Sequence, residues 1–87
     1  MTETITTAAI LSNGRVWTLP RPARHHNVLA EMRRQGHALT AFDEQGFLTS
    51  DGRFLGRIEA AGLAVASGQV DQEGLAAFPN LFSEDLW

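Results

Sequence analysis

The sequence predicts an α+β domain spanning residues 1–87: two β-hairpins forming an antiparallel sheet, with two helices packed on it. Three observations carry that expectation. Asn13-Gly14 and Asp51-Gly52 each stand between runs suited to strands, and such dipeptides favour tight hairpin turns. Apolar residues then recur at helical spacing after each hairpin. Gly36 and Gly68 follow those stretches, where glycine commonly closes a helix.

In chain order, residues 1–7 are polar and threonine-rich and read as a flexible lead-in. With Asn13-Gly14 as a two-residue type I′ loop, Ser12 faces Arg15, Leu11 faces Val16 and Ile10 faces Trp17. Ala8, Ile10, Trp17 and Leu19 then share a core face. Pro20 and Pro22 end the strand, and one of them is expected at the first helical position. A helix of about twelve residues follows, with Val28, Leu29 and Met32 on its apolar side and Arg33 and Arg34 in its last turn. Residues 37–45 connect, with Leu39 and Phe42 expected to dip into the core.

The second hairpin, Gly46 to Leu55, is expected to use Asp51-Gly52 as another type I′ turn. Arg57 to Ser67 reads as the second helix, with Ile58, Ala61, Gly62 and Val65 on one face. Gly62 in a helix interior predicts a close neighbour across that face. The shared layout Ser-Asn-Gly-Arg and Ser-Asp-Gly-Arg admits either a ββα unit used twice or two good turns recurring by chance. Residues 70–87 form a tail whose Phe82, Leu86 and Trp87 are expected to dock on the body or on a second subunit.

A chain of 87 residues has a thin core, which makes a homo-oligomer the expected state. No cysteine is present, so disulfides and thiolate metal sites are excluded. No run approaches the roughly 18 apolar residues of a membrane span, and the first residues lack the basic region of a signal peptide. The expected compartment is the cytoplasm. A net charge of -3 disfavours generic nucleic-acid binding.

All seven basic residues are arginine. Compositional bias would explain this; so would recognition of phosphate or carboxylate by guanidinium forks. Arg21, Arg24, His25 and His26 surround the start of the first helix, and Arg53 and Arg57 flank the start of the second. Helix N-termini favour anions, so these six residues form the candidate ligand-binding set. The alternative is that the arginines are solvated or pair with the ten acids. His25 falls in register with Val28, Leu29 and Met32, as a core residue would, whereas His26 faces the flank. The histidines could act as acid and base on a phosphoester, although no serine elbow, P-loop or carboxylate pair accompanies them. Three converging ligands with zinc spacing are missing, so neither a metal nor any cofactor is implied.

Leu19 to Val28 (LPRPARHHNV), Gln45 to Phe54 (QGFLTSDGRF) with Glu59-Ala60-Ala61, and Leu81 to Trp87 (LFSEDLW) resemble a family of small phage and prophage proteins. The resemblance runs along nearly the whole chain. It departs at Gly56 and Ile58, where more polar residues would be expected beside Arg57. It implies the host cytoplasm as the site of action and an anti-defence role by analogy. Two routes fit. One is a sponge for a nucleotide immune signal, using the arginine-dressed helix starts. The other is a non-catalytic inhibitor of a host defence protein, such as an anti-CRISPR, using acidic and aromatic surface. A His-dependent phosphoesterase is a third.

Overall fold

The computed structural model describes residues 3–40, 42–75 and 78–87; Met1 and Thr2 of the expected lead-in, and residues 41, 76 and 77, lie outside the described residues. The fold is α+β. Strands β1 (Ile5–Ser12), β2 (Arg15–Thr18), β3 (Glu44–Thr49) and β4 (Phe54–Gly56) form one antiparallel sheet in the order β2-β1-β3-β4. Helices α1 (His25–Arg34) and α2 (Arg57–Ala66) follow the two hairpins.

The first hairpin has the expected register, Ser12 opposite Arg15, Leu11 opposite Val16 and Ile10 opposite Trp17. Its turn places both Asn13 (φ 51°) and Gly14 (φ 77°) in the left-handed region, as a type I′ loop requires. The second hairpin differs. Only Gly52 has positive φ in its loop, Thr49 N–H bonds Arg53 O at 2.9 Å, and Leu48 faces Phe54. The loop is therefore Ser50-Asp51-Gly52, a turn followed by a left-handed glycine, rather than a two-residue type I′ turn. The extra loop residue brings Phe47 opposite Leu55 on the core face. The two-residue register would have set Leu48 against Leu55 instead.

Both helices lie on the face carrying Ala8, Ile10, Trp17, Phe47 and Leu55. Val28 and Met32 of α1 pack on Ile10 and Trp17. Ala60, Ala61 and Ala64 of α2 pack with Ala8, Phe47 and Leu55. Both helices end in Schellman motifs: His37 N–H reaches Met32 O and Gln69 N–H reaches Ala64 O, each at 2.9 Å, past Gly36 and Gly68 at positive φ.

Four expectations need correction. The strand includes Ile5, which is 1% exposed and held by the Gln69 side chain on both its N–H (2.7 Å) and its C=O (2.9 Å). A bulge between Ile5 and Thr7 turns Ile5 onto the core face, so the polar lead-in stops short of it. Neither proline starts α1: Pro20 to Ala23 make a turn closed by Ala23 N–H on Pro20 O, and Arg24 is the cap residue. The buried side of α2 is Ala60, Ala61 and Ala64, while Ile58 is 62% exposed and a methyl group on Gly62 would meet nothing within 4 Å. Three alanines pack there in one cluster with Phe47, while Ile58 stays outside it. Finally, Leu39 and Phe42 point outward.

Candidate functional site

The structure brings four of the six candidate residues to one place and finds it filled by the chain's own tail. Arg24 donates both Nε–H (2.8 Å) and Nη2–H to the main-chain oxygen of Trp87. Trp87 in turn donates its indole N–H to Ala23 O at 3.0 Å, and Arg21 lies 5.8 Å above the indole ring. Arg57 donates to Leu81 O (2.7 Å) and Gln45 Oε1 (2.6 Å), with its guanidinium 4.3 Å over the Phe82 ring. Burial of Arg57 lowers its pKa from the usual arginine value, and the nearby carboxylates of Glu84 and Asp85 oppose that. Residues 81–87 thus run from the first residue of α2, where Leu81 N–H bonds Arg57 O, to the cap of α1.

His25 lies beneath this segment. It is 6% exposed, its Nε2–H donates to Gly46 O at 2.7 Å, and its ring meets Phe47 edge-on at 5.0 Å. Burial pushes its pKa below 6.5; the Gly46 carbonyl opposes the shift, Arg57 adds to it and Glu84 opposes it. A neutral imidazole bonding α1 to β3 is a structural brace. His26, one residue on, is exposed. Arg53 stands apart at the far end of the β3–β4 ladder, where it grips Glu3 with Nε (2.9 Å) and Nη2 (2.6 Å). That grip, with the Thr49 hydroxyl, pulls the Glu3 carboxyl down to about 2.

Sequence reasoning missed a second cluster. Ser12, 1% exposed, places Oγ 2.7 Å from His37 Nε2 and donates to Asp43 Oδ1 at 2.7 Å. Asp43 also accepts from Thr40 N–H (3.1 Å) and Thr40 Oγ1–H (2.9 Å). These donors, led by Ser12, hold its carboxyl below the ordinary aspartate value. The residue types invite comparison with a nucleophilic triad, but the connectivity is different. Ser12 gives its only proton to Asp43, so His37 must donate to Ser12 rather than accept from it, and a general base needs the reverse. The cluster is a latch for residues 37–43. The His37 ring also tilts against Trp17 at 5.0 Å, and Arg15 stacks 4.0 Å over the other ring system. The one signal available was Thr40-x-x-Asp43, a spacing at which a carboxylate reaches back to the main chain.

Among the described residues, no three His, Asp or Glu side chains converge as metal ligands, and no helix is long and apolar enough to cross a membrane. A shallow depression of about 360 Å³ lies beside the start of α2, between Glu44, Ile58, Glu59 and Asn80. A family model described as the phage T4 y16D protein matches residues 4–87. The chain belongs to that family. No curated protein and no solved structure matches it. Within this phage T4 y16D family member, the matched span takes in both the tail-filled cradle and the 37–43 latch.

Proposed function

We propose that this phage-family protein is a non-catalytic binding factor that acts on a host protein through the 37–43 loop. The observation that carries the reading is Phe42, 95% exposed on a loop pinned by the Ser12–His37–Asp43 latch, with Leu39 at 44% beside it. Phe42 N–H is itself tied to Thr40 Oγ1 at 3.2 Å. An aromatic side chain flanked by hydrogen-bonded residues, Thr40 and Asp43, avoids part of the ordering entropy of association, and aromatic anchors are enriched at the centre of interfaces. The partner chemistry is an apolar pocket on a host defence protein, the inhibitor route inferred from phage membership. Replacing Phe42 by a photo-cross-linking phenylalanine analogue in the host cell tests this. A single host protein should be captured there and should bind the purified chain; capture with no binding by the purified pair would overturn the reading.

A second reading, binding of a phosphate-bearing small molecule such as a nucleotide immune signal, is favoured by a separate observation. Arg24 and Arg57 each direct guanidinium donors at oxygens of one short segment, Trp87 O and Leu81 O, and the same planar donors suit a phosphate. Incubation with cyclic and linear nucleotides, followed by heat denaturation and analysis of the ligand, separates the outcomes. Ligand recovered intact supports the sponge, altered ligand supports a phosphoesterase, and no depletion removes both.

A further inference from the structure

We infer that the depression at the start of α2 receives a lysine or arginine side chain of the same host protein that Phe42 anchors. The inference rests on the Phe42 reading and names the chemistry of the partner's second contact: a cationic residue beside the apolar pocket.

The topology puts the two features at one end of the sheet. β3 leaves that end at Glu44, directly after the 37–43 loop, and β4 returns to it at Gly56, two residues past Phe54. A Cβ built on Gly56 would lie 2.6 Å from Glu44 Oε1, so the glycine leaves room for the Glu44 side chain against the end of β4. Phe42 thus stands two residues before Glu44, and Ile58 two residues after Gly56. The walls of the depression are already held in place. Glu44 is paired with Leu11 in the sheet, and Asn80 precedes Leu81, whose N–H bonds Arg57 O at 3.1 Å. A partner therefore meets a backbone that needs little reordering.

The charge and apolar surface there set the occupant. Ile58 is 62% exposed on the first turn of α2, between the exposed carboxylates of Glu44 and Glu59 that also line the depression. Glu3 and Glu31 each hold an arginine, whereas neither Glu44 nor Glu59 makes an ion pair among the described residues. The neighbouring cations are committed elsewhere. Arg57 donates to Leu81 O and Gln45 Oε1 and covers the Phe82 ring, and Arg53 grips Glu3. An aliphatic side chain beside two unpaired carboxylates suits a long cationic side chain, whose methylene stem packs on Ile58 while its head reaches the acids. An acidic partner surface would be repelled, which fixes the sign of the partner's charge.

Association kinetics of the full chain with the purified host protein captured at Phe42 test this. The variant is Glu44→Gln with Glu59→Gln; both sites are exposed, so its melting temperature should match wild type. At low salt it should associate roughly tenfold more slowly than wild type, because charges at an interface act mainly on the on-rate. The gap should close near 1 M salt, where the screening length is about 3 Å. Asp71→Asn with Glu73→Gln removes the same formal charge from exposed positions on another loop and should leave the rate near that of wild type. Equal rates for wild type and the Glu44/Glu59 variant, or equal slowing by both variants, would overturn the cationic contact while leaving Phe42 as the anchor. Failure of the purified host protein to bind the wild-type chain at all would overturn both.

Discussion

Gly46→Ala should be among the most damaging single-methyl additions to this chain, and the reason can be worked atom by atom. A Cβ built on Gly46 would lie 2.1 Å from the Leu55 carbonyl oxygen and 2.7 Å from Cζ of Phe54. The Phe54 ring could swing aside. The Leu55 carbonyl cannot, because it belongs to the strand paired with β3, where Phe47 faces Leu55 and Gly46 faces Gly56. Opening the ladder there also moves Gly46 O away from His25 Nε2, which it meets at 2.7 Å inside the core. Overpacking of this kind costs about 1–3 kcal/mol, and a stranded buried donor adds about 1–3 kcal/mol. The two together come to about 2–6 kcal/mol, and even about 3 kcal/mol, toward the low end, is a large part of the roughly 4–13 kcal/mol expected for a domain of this length. At about 5 °C per kcal/mol for this size, the melting temperature should fall by about 15 °C. Gly62→Ala is the matched control, since its Cβ would meet nothing and alanine favours a helix interior by up to about 1 kcal/mol. Thermal and urea unfolding followed by circular dichroism compare the two. A Gly46→Ala protein within about 1 kcal/mol of wild type would refute the argument, since even the lower bound for overpacking alone is about that size.

Other consequences follow from the same contacts. His25 is held neutral by burial, so the unfolded chain binds a proton before the folded one does, and its contribution to stability is present above pH 6.5 and lost as pH falls below it. His25→Gln removes that component, and the gap in urea midpoint between the two proteins should narrow on acidification from 6.5. For Glu3 the contribution is present above the ordinary carboxyl value of 4.5 and lost as pH falls toward about 2, so a Glu3→Gln difference seen near neutrality should vanish across that window. Ser12→Ala removes the hydroxyl shared by Asp43 and His37, which are both partly open to water, so the loss in the same unfolding assay should be that of a net hydrogen bond, about 1 kcal/mol.

The parts of this fold that were legible in the sequence are those where local chemistry decides. Asn13-Gly14 sets both turn residues at positive φ by itself, and Gly36 and Gly68 close helices for the same reason. His25 was readable as a core residue because its register with Val28 and Met32 needs no knowledge of the sheet. Asp51-Gly52 misled because the same dipeptide serves a three-residue loop, and the choice was made by Phe47 and Leu55 reaching the core together. The buried face of α2 was missed because alanines carry it while the larger Ile58 lies outside, a choice that apolar periodicity does not reveal. Leu39 and Phe42 look like core residues by composition alone; the Asp43–Ser12 bond, spanning 31 residues, holds their loop outward.

The candidate arginines show the same division. Their clustering at the two helix starts was visible in the sequence, and Arg24 and Arg57 do converge on one region. What fills that region was not visible, because Leu81 and Trp87 lie 24 and 63 residues along the chain from the arginines they meet. The expectation that Phe82, Leu86 and Trp87 dock and the expectation that the arginines grip something had been separate. In the folded chain the tail is what Arg24 and Arg57 grip.

Binding through Phe42 is the claim on which the functional account turns. The most direct measurement is the affinity of the purified host partner for wild type and for Phe42→Ala, with melting temperatures recorded alongside. Phe42 is 95% exposed, so its removal should leave stability within about 0.5 kcal/mol. Affinity should nevertheless fall by a factor of roughly 30, the loss of about 2 kcal/mol expected of an interface anchor. Unchanged affinity in a stably folded Phe42→Ala protein would contradict the account.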